Sequence, residues 1–107
     1  MSEHVIVFIT ASSADEAATI AKALVDERLA ACGNITQGIR SIYRWQGQVH
    51  DEGEVLLISK TRRELFGRLA ARVKELHSYE VPEIIAAPII EGTESYLSWI
   101  DEQTATP

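Results

Sequence analysis

The chain has 107 residues, 46% of them hydrophobic and 24% charged, with a formal net charge of −6. That length suits one domain around one core, burying roughly two-thirds of the surface of the extended chain, and no apolar run approaches the ~20 residues of a membrane-spanning helix. The N-terminal residues lack a signal-peptide pattern, the negative balance argues against a nucleic-acid partner, and the lone Cys32 excludes an intrachain disulfide, so a cytoplasmic protein without a membrane or nucleic-acid partner is expected.

His4 to Thr10 is a short run rich in β-branched residues without polar alternation, which predicts a central strand covered on both faces. Ser13-Ala-Asp-Glu16 matches a capping box and opens a helix whose Ala17, Ile20, Ala21, Leu24 and Val25 form one apolar stripe. Leu29 to Ala31 are expected to finish that helix before Gly33. Ile35 to Trp45 and Glu54 to Lys60 read as strands joined through a turn at Gln46-Gly47-Gln48, a long hairpin. Thr61-Arg-Arg-Glu64 reads as a second capping box, before a helix with Leu65, Leu69, Val73 and Leu76 on one face. That helix must stop before Pro82. Ile84 to Ile90 is a last strand, interrupted by Pro88, which implies an edge position or the strand's end, and Gly92-Thr93 starts a short terminal helix. Thr104 to Pro107 read as a loose tail.

The order is βαββαβ, with two amphipathic helices that can cover one face of a four-stranded antiparallel sheet, so an α+β, ferredoxin-like sandwich spanning residues 1–107 is predicted. In that plan the second and fourth strands are edges with unpaired backbone groups. Ile39, Ile42, Tyr43 and Trp45 on the long second strand would leave apolar surface exposed on a single chain, which predicts association with further copies.

Charge is unevenly placed. Six of the ten basic residues lie between Lys60 and Lys74, whereas the chain from Glu75 onward holds seven acids and no Lys or Arg. A solvated face and a cation-attracting strip are both compatible with that pattern. Phosphate-cradling loops, Gly-x-Ser-x-Gly elbows and Cys-x-x-Cys pairs are missing from the sequence. Cys32 sits in an apolar context suited to a buried thiol. His50, Asp51 and Glu52 follow one another on a strand, where alternation keeps them from converging on one ion.

His77-Ser-Tyr-Glu-Val-Pro-Glu83 gathers an imidazole, a phenol and two carboxylates beside a proline that restricts the backbone. The segment is a candidate site; equally, His77 can serve as a helix terminus and the carboxylates as solvated surface. An acid–base role for His77 and Glu83 lacks a third, orienting group, so no enzyme is expected. A second candidate surface, for a small anion, is Lys60, Arg62 and Arg63 at a helix N-terminus, with Tyr79.

The sequence resembles the CutA family, the divalent-cation tolerance proteins. The likeness covers nearly the whole chain through Leu29-Ala-Ala-Cys-Gly-Asn-Ile35, Ser41-Ile-Tyr-Arg-Trp-Gln-Gly47, Lys60-Thr61, His77-Ser-Tyr-Glu-Val-Pro-Glu-Ile84, Pro88-Ile-Ile-Glu-Gly92 and Tyr96-Leu-Ser-Trp99. The resemblance implies a homotrimer of ferredoxin-like subunits joined through edge strands, and a link to tolerance of copper or other divalent cations, with no obligatory cofactor. It also implies a likeness of fold and assembly to the PII signalling proteins, and by analogy a small anionic ligand in an intersubunit cleft. Copper ligands proposed for some bacterial members are a cysteine ending the first strand and two successive histidines before a Pro-Tyr motif. Those positions here read Ile9, Leu76 and His77, and Ser78 replaces the proline, so only His77 carries over. The metal set this leaves is His77 with Glu80 and Glu83, completed by a neighbouring subunit; imidazole, phenol and carboxylate form a harder, less selective donor set than one with a thiolate.

Overall fold

The computed structural model describes residues 3–106. Strand β1 (His4–Ala11) alternates along its length: Val5, Val7, Ile9 and Ala11 are buried, while Ile6, Phe8 and Thr10 on the other face stay partly exposed. The apolar run therefore does not mark a strand covered equally on both sides. One face lies under the helices, and the other is only partly screened.

Helix α1 (Ala14–Asp26) starts where predicted, with the Ser13 hydroxyl accepting the Glu16 N–H at 3.1 Å. Its buried stripe is Ala17, Ile20, Ala21 and Leu24. It ends at Asp26 instead of continuing to Ala31. Arg28 turns to φ 60° and the Leu29 N–H bonds back to the Leu24 carbonyl at 2.9 Å, closing the helix with a left-handed turn. Arginine enters that region at a steric cost; its guanidinium donates to the Gln103 carbonyl at 3.2 Å, tying the turn to the end of the terminal helix. Leu29 to Ala31 then drop to the sheet, and the Ala31 N–H meets the Lys60 carbonyl at 2.8 Å.

Strands β2 (Cys32–Trp45) and β3 (Gln48–Arg62) are longer than the sequence pattern indicated. Gln46 and Gly47, both at positive φ, make the two-residue reversal between them. The polar stretch His50 to Gly53 has weak strand propensity, yet it pairs throughout with β2, where Arg40 and Asp51 form an ion pair at 2.6 Å and Tyr43 stacks on His50 at 5.2 Å. Between Thr36 and Ile39 the register slips, with Gly38 at φ 83°. β2 holds one residue more than β3 there, a β-bulge.

The second capping box does not form. Thr61 is still within β3, because β1 pairs with β3 as far as Arg62, and its buried hydroxyl donates to the Leu29 carbonyl at 2.7 Å. A 3₁₀ turn (Arg63–Leu65) leads into helix α2 (Phe66–Leu76), which buries Leu69 and Val73. Strand β4 (Ile84–Pro88) ends on its proline. Helix α3 (Glu94–Thr104) begins at the Thr93 cap and reaches through Thr104. Thr104 is therefore not part of a loose tail: it is buried, and Arg62 binds both its hydroxyl and its carbonyl at 2.9 Å. Pro107 lies outside the described residues.

All pairings are antiparallel and the sheet order is β2-β3-β1-β4, so β1 and β3 are central and β2 and β4 are edges, as the ferredoxin-like plan requires. Helices α1 and α2 cover one face and enclose Val7, Ile9, Ile20, Leu24, Leu57, Leu69 and Val73, each fully buried and each contributing about 1.5–3 kcal/mol of transfer free energy. Close packing is forced at Gly33, where an added Cβ would sit 2.7 Å from the Ala21 Cβ. Helix α3 packs on β3, and Asp101 meets the His4 ring at 2.8 Å. Cys32 is half-buried within β2, not sealed in the core, with its sulfur 3.9 Å from the Tyr96 hydroxyl and 3.8 Å from the Asn34 side-chain oxygen. No described helix is long and apolar enough to cross a membrane.

β1 pairs with β3 only from Val55 to Arg62, so residues 39–54 continue as a two-stranded ribbon. At about 3.3 Å per residue, strands of this length match the long dimension of a molecule measuring 44 × 26 × 23 Å.

Candidate functional site

Helix α2 stops at Leu76, well before Pro82, because His77 takes an extended conformation (φ −82°, ψ 142°) and turns its ring back onto the body. His77 Nε2 lies 2.7 Å from the Thr10 carbonyl oxygen, and Nδ1 accepts the Tyr79 N–H at 3.0 Å. A carbonyl only accepts, so Nε2 carries the hydrogen and Nδ1 is bare: one neutral tautomer satisfies both contacts. The ring also lies against Tyr79, with centroids 4.7 Å apart.

The residues after His77 are held from two further elements. The Ser78 N–H donates to Glu16 Oε2 at 2.8 Å, while Glu16 Oε1 accepts the N–H and hydroxyl of Ser12, each at 2.9 Å. Partial burial opposes ionisation of Glu16, but these hydrogen bonds from Ser78 and Ser12 outweigh it and bring the carboxyl down to about 2. The Tyr79 hydroxyl donates to Glu54 Oε2 at 2.7 Å. Burial, then that bond and the charge of Glu54, push the Tyr79 phenol well above its ordinary range. Tyr43 is raised to about 12 by its hydrogen bond to Glu52, helped by desolvation. Both phenols therefore act as neutral donors at physiological pH.

These contacts border a cavity of about 650 Å³ between segment 77–83 and the base of the ribbon, lined among others by Ser41, Tyr43, Trp45, Glu54, Tyr79 and Glu83. Glu80 also reaches it. The metal set His77, Glu80 and Glu83 is not assembled within one chain: both imidazole nitrogens are engaged, and no group of three or more His, Cys, Asp or Glu that could hold an ion occurs among the described residues. The other two ligand positions carry no donor, Ile9 being sealed in the core and Leu76 packed against it. Within one chain these residues do not form a transition-metal centre.

The anion set is divided as well. Lys60 Nζ is bound to the Asn34 side chain at 2.6 Å. Arg62 is occupied by Thr104 and Glu64. Arg62 and Arg63 line a separate cavity with Glu3, Glu64 and Asp101, whose carboxylates offset their charge, and Tyr79 is not part of it. Of the expected interface residues, Ile39, Tyr43 and Trp45 share one face of the ribbon and Ile42 takes the other. Ile42 is 65% exposed, Tyr43 and Trp45 each 39%.

Sequence reasoning missed Thr10, Glu16 and Glu54. Glu16 was legible only as half of a capping box, and in the fold its carboxylate reaches Ser12 and Ser78 instead of the Ser13 N–H. Thr10 and Glu54 are 67 and 25 positions away from their partners in the chain, so no local pattern could have marked them.

Comparison with known proteins places these features in a family. The sequence profile of the CutA1 divalent ion tolerance proteins matches residues 5–103. The divalent-cation tolerance protein CutA of Thermus thermophilus is 57% identical over 99 residues, 92% of this chain and 96% of that one. A chloroplastic CutA of Arabidopsis thaliana is 42% identical over 94% of this chain, which spans 55% of the plant protein. Among solved structures, the periplasmic divalent cation tolerance protein CutA of Archaeoglobus fulgidus superposes with a TM-score of 0.93 at 43% identity, covering 95% of this chain and 99% of that one. The chain belongs to the CutA1 divalent ion tolerance family.

Proposed function

We propose that the protein works as a non-enzymatic homotrimer in the cytoplasm, in the response to copper and other divalent cations. The observation that carries the assembly is the ribbon of residues 39–54. A two-stranded extension is marginal in water on its own, yet this one bears Ile42 at 65% and Val49 at 62% exposure. The free edges, β2 and β4, lie on opposite sides of the sheet, so joining one to the other between chains is a head-to-tail contact, the type from which closed rings are built when the rotation between copies closes. The family resemblance supports three as the number of copies. Light scattering at micromolar concentration is expected to give three chains per particle, and Ile42→Lys to reduce it; a wild-type monomer would overturn the assembly.

A non-catalytic role is supported by the arrangement of possible nucleophiles and bases. Cys32 neighbours Asn34 and Tyr96, not a histidine, and the His77 ring is committed to backbone groups. The cytoplasmic placement rests on the unpaired Cys32 thiol. Cells lacking the protein are expected to lose growth at elevated copper or zinc and to regain it on expression of the wild type. Equal growth with and without it would remove the cation role.

A further inference from the structure

In the resemblance, His77 is the one metal ligand that survives, but the fold has given both of its nitrogens other work. Nε2–H points to the Thr10 carbonyl at 2.7 Å, and the Nδ1 lone pair takes the Tyr79 N–H at 3.0 Å. A metal ion would need one of those nitrogens, and therefore the loss of a backbone contact at β1 or at Tyr79. The neighbouring bonds act in the same direction. Ser78 is held by Glu16 of α1, and the Tyr79 hydroxyl by Glu54 of β3. Glu54 pairs with Ile39, the first residue of β2 beyond the bulge, so this last bond grips the ribbon at its root.

We infer that His77 is the centre of a hydrogen-bonded latch joining β1, α1 and the base of the ribbon, and that no transition-metal ion is taken through it. The inference narrows the cation role proposed above and rests on the assembly reading only where it concerns the ribbon. The latch fixes the backbone of 77–79, places Tyr79 on Glu54, and so sets the angle at which the ribbon leaves the body. Its histidine serves the geometry of the subunit surface, and any response to cations operates by another route.

The test reads the imidazole directly. Long-range ¹H–¹⁵N spectra of the assembled protein are expected to report a neutral Nε2–H tautomer for His77, unchanged on adding one equivalent of Zn²⁺ per chain. Calorimetric titration with Cu²⁺ is expected to give the same stoichiometry for wild type and His77→Ala. The variant should melt about 4–8 °C lower, the shift that follows loss of a contact worth about 1 kcal/mol. His77→Gln, which keeps a donor toward Thr10, should recover part of that shift. A Zn²⁺-induced change of the His77 nitrogens, one Cu²⁺ per chain lost in His77→Ala, or an unchanged melting point in that variant would each overturn the latch. Light scattering on the same samples keeps the two readings apart: a monomer with the Nε2–H tautomer intact defeats the assembly and leaves the latch standing.

Discussion

Two regions of one sheet are stabilised by different means. Between β3 and β4, β1 is paired on both sides and roofed by α1 and α2, and Val7, Ile9 and Leu57 are fully buried. Beyond Glu54 the same β2 and β3 continue with no third strand, held by cross-strand contacts that water reaches, such as Arg40–Asp51 and Tyr43–His50. Pairs of that kind contribute roughly 0.2–1 kcal/mol each, against 2–5 kcal/mol for truncation of a buried leucine. The body can therefore stand on burial within one chain. The ribbon carries apolar residues whose burial one chain does not supply, which is why it is the part that looks outward for a partner.

Substitutions rank the two regions. Leu57→Ala should cost about 3 kcal/mol in urea unfolding, since its side chain is fully buried beneath α1; a loss under about 1 kcal/mol would mean that the helix-covered core is not the main source of stability. Gly33→Ala should cost about 2 kcal/mol, because its Cβ would meet Ala21 at 2.7 Å and α1 would have to lift from β2. An unaffected melting temperature would contradict that close approach. Glu16→Gln tests the join between body and ribbon through pH. The Glu16 carboxyl falls from 4.5 to about 2 in the fold, so its stabilisation is complete above about 4.5 and disappears as pH drops toward 2. Because the group is only partly buried and water still screens it, the contribution is of order 1 kcal/mol. The variant should show that much less stability at pH 7 and a flatter loss between pH 4.5 and 2; parallel acid profiles would remove Glu16 from the latch. Arg40→Ala, which deletes an exposed ion pair of the ribbon, should change unfolding by less than about 0.5 kcal/mol. A loss comparable to Leu57→Ala would erase the distinction between the regions.

The architecture was legible because its signals are local: the β-branched run from Val5 to Ile9, the Ser13 cap, the stripe from Leu65 to Val73 and the proline at Pro88 each act within a few residues. What misled were patterns overridden by partners far along the chain. Thr61 resembles a cap, but β1 keeps it in the sheet; Leu29 to Ala31 resemble helix, but Arg28 and the Lys60 carbonyl turn them aside. The site divides in the same way. Segment 77–83 stood out by composition, whereas the direction in which His77 faces depends on Thr10, which only the folded chain brings near.

The slip between Thr36 and Ile39 gives the ribbon something like a reading frame. Before it, the even residues Cys32, Asn34 and Thr36 face the same way as Ile58; after it, the odd residues Ile39, Tyr43 and Trp45 do. An unbroken ladder, with Gln37 opposite Val55 and Gly38 opposite Glu54, would exchange Tyr43 and Trp45 with Ile42 and Arg44 across the sheet. Every side chain would be kept and the outward surface would be a different one. Which face the ribbon presents to another molecule is set by parity, through the one extra residue of the bulge.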